Sequence, residues 1–301
     1  MSRLSRIPRA GDARPRAVVL HACLVPALLL AHALPGPARA AQSDDSCTGF
    51  IDSIPASITK QGTWCLRQDL SGNLIHGEAI EILTNNVTID CNHFKLGNLA
   101  AGAGTAAAGI DATDRVNITV RNCTVRGFHK GIALEGAGGG HLVEDNILDG
   151  NTSIGMSVLN DGSIVRRNRV LDTGGSSVFA SVVGILTTGS VDILDNTVSG
   201  VVAPAGSNGS ARGIRTWEAY DAAVSGNRVR GVQADGTGIS FAVSNQESAR
   251  VVLRDNDLSG DGTDVGISCH DDSGYALQNT INGFVEAVVG CAGHNNVVKL
   301  P

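Results

Sequence analysis

The stretch Arg215-Thr216-Trp217-Glu218-Ala219-Tyr220-Asp221 gathers side chains suited to chemistry on an acidic, ring-shaped molecule. Arg215 offers a planar, permanently charged fork that pairs with a carboxylate such as that of a uronate. Trp217 and Tyr220 present flat apolar faces with a polar handle, on which a sugar ring can pack. Glu218 and Asp221 add carboxylates. A second group, His270-Asp271-Asp272, brings an imidazole and two more carboxylates that could give or take a proton. The candidate catalytic set is therefore Arg215, His270, Asp271 and Asp272, and the candidate substrate-binding set is Trp217, Glu218 and Tyr220. Paired carboxylates here could also serve glycoside hydrolysis or hold Ca²⁺. A structural reading competes with each of these. Asp271-Asp272-Ser273-Gly274 is ordinary turn chemistry, and Lys130, after His129, reads as a turn residue.

The two groups can meet only if the chain returns repeatedly to the same place. It does. The phrase Ile193-Leu194-Asp195-Asn196-Thr197-Val198-Ser199-Gly200 recurs around Asn227, Asn256 and Asn279, with Gly231, Gly260 and Gly283 four residues later. Looser copies lie at Asn146 and Asn168, with Cys123 and Asn92 in the same slot upstream. The slots fall 22 to 31 residues apart. A second marker, Gly followed by Ile or Met, stands between successive slots at Gly109, Gly131, Gly155, Gly184, Gly213, Gly238 and Gly266. Two markers locked in phase give the period of a solenoid.

Runs such as Val251-Val252-Leu253 and Val116-Asn117-Ile118-Thr119-Val120 alternate apolar residues without a helical period, so each coil is read as short strands joined by turns. Parallel stacking about 4.8 Å apart gives a continuous buried face that no coil could bury alone. Asn suits the recurrent slot because it tolerates the left-handed backbone of a sharp bend. Its amide can also bond to the Asn one coil away. The expected fold is an all-β, right-handed parallel β-helix of about eight coils.

The phrases Val87-Thr88-Ile89-Asp90-Cys91-Asn92 and Ile118-Thr119-Val120-Arg121-Asn122-Cys123-Thr124-Val125-Arg126-Gly127 resemble those of bacterial secreted right-handed β-helix repeat proteins of the pectate-lyase-like superfamily. The resemblance runs from about Ile80 to the C-terminus and implies the fold. It does not fix a function, because that superfamily holds lyases, hydrolases, epimerases, esterases, adhesins and spacers. In its polysaccharide enzymes the substrate groove lies along the strand beginning Gly-Ile here. The full set of pectin-hydrolase carboxylates, a pectinesterase motif and an Asp-Pro-His signature are all missing.

If the residue after each Gly points inward, the second and fourth after it point out. Asp111, Glu135, Ser157, Arg215, Trp217, Ser240, Ser268 and His270 then share one surface, with His270 two coils from Trp217. Insertions at Asp172 to Val183 and Gly200 to Arg212 flank that strand and can wall a groove. Across coils, Arg121, Glu144 and Arg166, and Asp145, Arg167 and Asp195, read as ion-pair ladders that hold register and solubility.

Residues 1–40 read as a signal peptide: five arginines from Arg3 to Arg16, an apolar run from Ala17 to Leu34, and Ala38-Arg39-Ala40 as the cleavage signal. Residues 41–79 are expected to form an N-terminal cap region and 80–301 the β-helix. Six cysteines then remain, an even number that suits disulfides in an exported chain. Aligning Ile267 with Val289 pairs Cys269 with Cys291; Cys91 and Cys123 lie on adjacent coils; Cys47–Cys65 would close the N-terminal region. No zinc-type spacing is present, so no metal or cofactor is expected, apart from Ca²⁺ if the protein is a lyase. A net charge of −6, with no basic run left after cleavage, argues against nucleic acid. The chain is expected to be a secreted or periplasmic monomer with no membrane attachment after cleavage and a polysaccharide as its partner. Three function classes stay open: a carbohydrate-binding or structural surface module, a polysaccharide lyase or related enzyme acting on acidic glycans, and an accessory domain for export or metal-site assembly, which no metal-ligand cluster in the sequence supports.

Overall fold

The computed structural model describes residues 46–301 apart from 271–273, and for 261–263 the backbone alone. The signal peptide expected in 1–40 lies outside the described residues. Among the described residues no helix is long and apolar enough to cross a membrane.

The chain winds into a parallel β-helix in which every strand pairs in parallel with its copies in the coils before and after. An eleven-stranded sheet carries the strands ahead of the Asn slot, among them Ile118–Arg121, Leu142–Glu144, Ser163–Arg166 and Val191–Leu194. This is the first ladder. An eighteen-stranded sheet carries the other two faces of each coil. Its second ladder follows the Asn slot, as in Thr124–Arg126 and Ile147–Asp149. Its third ladder begins near the Gly-Ile marker, as in Lys130–Glu135, Ile154–Leu159, Val182–Thr188, Ala211–Trp217 and Ser240–Gln246. In the late coils the second and third faces fuse into single long strands, Asp257–Cys269 and Thr280–Val289.

The winding is longer than eight phrases suggest, because its first and last coils lack the complete phrase. The described part of the segment expected as a cap supplies ladder strands: Gly49–Ile51 pairs with Gly62–Leu66, and Ala56–Ile58 with Glu78–Ile82. At the other end, Asn296 adds one more asparagine to the stack.

Inward residues of the three ladders form one continuous core from Ile51 to Phe284, most of it without solvent contact. The asparagines line one corner of it. The Nδ2 of Asn146, Asn168, Asn196, Asn227, Asn256 and Asn279 each donates to the Oδ1 of the next asparagine at 2.9–3.1 Å. Each also donates to a backbone carbonyl of the coil before, as Asn196 does to Val165 at 2.9 Å. The left-handed conformation falls elsewhere than expected. It belongs to the residue before the ladder asparagine, as at Asp145, Arg167, Asp195, Asp255 and Gln278, with φ between 54° and 56°. The bend is made one residue early, which frees the asparagine to aim its amide along the axis. Asn92 stands outside the stack: its own φ is 49°, and its Nδ2 bonds Leu66 O.

All three expected disulfides form, with Cα–Cα distances of 5.9 Å for Cys47–Cys65, 4.7 Å for Cys91–Cys123 and 4.9 Å for Cys269–Cys291. The register behind the last differs by one residue, since Ile267 pairs with Val288 rather than Val289. The expected ion-pair ladders form in part, as Arg166–Glu144 at 2.8 Å and Arg167–Glu144 and Arg167–Asp145 at 2.7 Å, whereas Arg121 pairs with Asp90 of the coil before at 2.8 Å.

Candidate functional site

The third ladder positions the candidate residues, and its marker glycine decides how. A Cβ on Gly184 would meet the carbonyl oxygen of Gly213 at 2.5 Å and the Val198 side chain at 2.7 Å. That position therefore faces the core, as does the Ile185 after it, which is fully buried. Two successive inward positions bend the strand, so the residue before the glycine faces out as well. Three rows then run along the outer face: the residue before the glycine, and the second and fourth after it.

Register fixes who shares a row. Arg212 pairs with Phe241, Phe241 with Val265 and Val265 with Glu286. In the next row Arg215 pairs with Ser244, then Ser268, then Val289. Trp217 pairs with Gln246, and continuing the Asn245–Cys269 pairing puts His270 in that row, two coils and about 10 Å on. Asp111, Glu135 and Ser268 take the outward rows as expected, while Ser157 shares the Asp111 row by register but is fully buried instead of exposed. Ser240 does not. Gly238-Ile239 lies ahead of the strand, Ala242 occupies the marker slot, and Ser240 is 3% exposed and bonded to Asp264 at 2.7 Å.

The candidate patch divides in two. Arg215 and Trp217 stay together on the ladder, the guanidinium 5.0 Å from the indole centroid. Glu218, Tyr220 and Asp221 belong to the corner beyond it. Glu218 takes a left-handed turn conformation with φ 49°. The Tyr220 hydroxyl donates to the Asp161 carboxylate, which also accepts the Ser190 amide at 2.9 Å. Asp221 pairs with Arg250 at 2.6 Å. Tyr220 and Asp221 are committed to holding turns together. Asp271 and Asp272 lie outside the described residues.

Arg212, which the sequence reading passed over, joins Arg215 on the outer face. Its guanidinium packs 5.4 Å from the Phe241 ring centroid. Both arginines are half-buried, and the Nε of each is shielded from solvent without a hydrogen-bond partner. Among the described residues neither is in an ion pair. Burial holds both below the usual guanidinium range; for Arg212 the neighbouring Arg215 charge adds to this, and for Arg215 the Glu247 charge opposes it. Both stay cationic, because an arginine side chain does not lose its proton in a protein. The Ser244 hydroxyl, buried in the row beside Arg215, also lacks a partner. Next to Phe241 opens a cavity of about 340 Å³, lined by Ile239, Phe241, Val265, Val285 and Val289, with Asp264, Ser268 and Glu286 as its polar groups.

A second charged group occupies the early coils of the same face. Lys130 opens a strand instead of making the expected turn, and its ammonium bonds Glu135 at 2.7 Å. Burial pushes the Asp111 carboxyl up to about 6, with Glu78 and Glu135 adding to this and the Thr113 hydroxyl and Lys130 opposing it. The insertion after Asp172 folds back over this end. Ser177 N–H bonds Ala103 O at 3.0 Å, and Phe179 stacks on His129 at 4.0 Å. Burial pushes that imidazole down to about 4, with the Lys130 charge adding to it.

A family model described as periplasmic copper-binding protein (NosD) matches residues 45–253, more than half of the chain. No curated protein matches it. Among solved structures, tailspike protein 2 from Escherichia coli O157:H7 bacteriophage CAB120 is similar at 15% identity and a TM-score of 0.50, covering 77% of this chain and 34% of that one. The chain thus spans about a third of the tailspike's length, and the likeness shows the fold alone. The Azotobacter vinelandii mannuronan C-5 epimerase AlgE6 A-module is 12% identical, with a TM-score of 0.39 and coverage of 84% and 91%. PfbA, a surface adhesin of Streptococcus pneumoniae, is 12% identical, with a TM-score of 0.44 and coverage of 83% and 82%.

Among the described residues the donor set does not fit a copper ion. Thiolate, thioether and imidazole are the ligands that select copper. The six cysteines in the described residues are all in disulfides, and Met156 is sealed in the core. No three His, Cys, Asp or Glu residues come together as a metal group among the described residues, which applies to Ca²⁺ as well.

Proposed function

The chain belongs to the NosD family of periplasmic proteins, and on that footing we propose that it is a binding module for acidic glycans, using the outer face of the third ladder as its docking strip. The observation that carries this is the pair of half-buried, unpaired guanidiniums at Arg212 and Arg215, each laid against an aromatic ring. A desolvated cation held in no direct ion pair is a costly arrangement for a fold to keep. An incoming carboxylate relieves it through short, charge-assisted hydrogen bonds. Trp217, 37% exposed, supplies a stacking face at the edge of the same strip. The three disulfides fit a compartment outside the cytoplasm, where such glycans occur.

Calorimetric titration of the protein with uronate-containing oligosaccharides tests the reading. Binding should weaken at least tenfold in Arg215→Gln and further in Arg212→Gln/Arg215→Gln, and it should weaken with added salt. Unchanged affinity in the double variant would refute it. Absorbance of unsaturated products during the same incubation, lost in Arg215→Ala, would instead establish the polysaccharide-lyase alternative, with His270 as a further catalytic candidate.

A further inference from the structure

The cavity beside Phe241 carries information about which acidic glycan fits. It lies on the same outer face as the arginine pair and is reached by following the Arg212 row through Phe241 to Val265 and Glu286. Those last two positions are two and three coils from Arg212, about 10 and 14 Å away. A pyranose ring is about as long as one coil spacing, so a glycan lying along the axis would put a sugar two or three residues past the arginines into this cavity.

The two places differ in chemistry. The arginine pair is cationic and, among the described residues, in no ion pair, with Glu247 the one carboxylate whose charge reaches Arg215. The cavity is walled by Phe241, Val265, Val285 and Val289, and its charged groups are both carboxylates, Asp264 and Glu286. Asp264 is fixed by the Ser240 amide and hydroxyl at 2.8 and 2.7 Å. A second uronate placed there would meet like charges, whereas a neutral sugar can donate its hydroxyls to them. Val285 and Val289 are 60% and 37% exposed, a partly open apolar wall that a methyl group would cover.

From this juxtaposition we infer that the site selects an acidic heteropolymer: a uronate at Arg212 and Arg215, followed three sugars later by an uncharged sugar bearing an acetyl or 6-deoxy methyl in the cavity. The inference rests on the glycan-binding reading and narrows it. Uniform polyuronates would satisfy the arginines and be repelled at the cavity.

Titration with two oligosaccharides of equal length separates the possibilities. One is a hyaluronan octasaccharide, alternating uronate with an N-acetylhexosamine, and the other an octagalacturonate. The wild type should bind the alternating chain about tenfold more tightly. Val285→Asn, an exposed position whose replacement leaves the core intact and adds no charge, should remove most of that preference by weakening the alternating chain alone. Glu286→Gln should strengthen octagalacturonate, and Arg215→Gln should weaken both. Equal affinity for the two chains, with Arg215→Gln still weakening both, would overturn the selectivity and leave the binding site standing. Binding of neither chain would overturn both readings.

Discussion

The amide of Asn196 spends its whole hydrogen-bonding capacity inside the fold. Its Nδ2 serves Val165 O and Asn227 Oδ1, and its Oδ1 receives both the backbone N–H and the Nδ2 of Asn168. Asn196→Ala would strand these buried groups. A loss of about 3 kcal/mol is expected, from the cost of leaving buried donors and acceptors unmade. Urea unfolding measures it, and a loss under about 1 kcal/mol would show that the ladder does not work as described. That asparagine would stack was readable from the period of the phrase. The left-handed residue was not, because asparagine is itself the usual occupant of that conformation, and only coordinates show Asp195 taking the bend. Asn296 was missed because no glycine follows it at the fixed offset. Histidine sets the acid limit at this scale. His141 is 2% exposed, its Nδ1 accepts the Ile118 N–H at 3.3 Å, and burial pushes it down to about 4. Below its ordinary value of 6.5 the unfolded chain takes a proton that the folded chain refuses, so this contribution to stability falls as pH drops from about 6.5 toward 4. His129 acts in the same direction. Asp111 acts in the opposite one, because its raised pKa favours the folded state as pH falls below about 6. His141→Asn keeps an acceptor for Ile118 and cannot charge. Thermal melts should show a smaller drop in Tm between pH 7 and pH 5 than in the wild type; an equal or larger drop would contradict the assignment.

At the scale of elements, each coil depends mainly on its neighbours, so damage should stay local. The Cys269–Cys291 bridge joins the last two long strands where the final coil is largely exposed. It closes a 22-residue separation, which corresponds to about 3 kcal/mol of stabilisation. Replacing both cysteines by serine should raise hydrogen exchange across Gly274–Leu277 and Val297–Lys299 and leave Ile118–Arg121 and Leu142–Glu144 unchanged. Faster exchange throughout would mean that the coils unfold as one unit. The third ladder was legible as the strand after the Gly-Ile marker, and so were most of its outward residues. Arg212 was hidden because its direction depends on two consecutive inward positions, which simple alternation does not foretell. Ser240 was misplaced because Gly238-Ile239 imitates the marker, while the glycine slot of that coil holds Ala242. The cavity involves Asp264, Val285 and Glu286, from coils where two faces merge into one strand and the phrase no longer separates them.

Across the whole molecule, acidic and basic groups mostly pair with each other along the coil axis, as Arg121 does with Asp90 and Arg228 with Asp257. Arg212 and Arg215 break that habit on one face, beside the solvent-exposed ring of Trp217. Only two tryptophans occur in the chain, Trp64 and Trp217, and only Trp217 belongs to the docking strip. A fluorescence titration of Trp64→Phe with an acidic glycan therefore reports on that strip alone. The account predicts a saturable change in the Trp217 emission that disappears in Trp64→Phe/Arg212→Gln/Arg215→Gln. Glycan binding detected by calorimetry with no change in Trp217 emission would put the ligand on another face and contradict it.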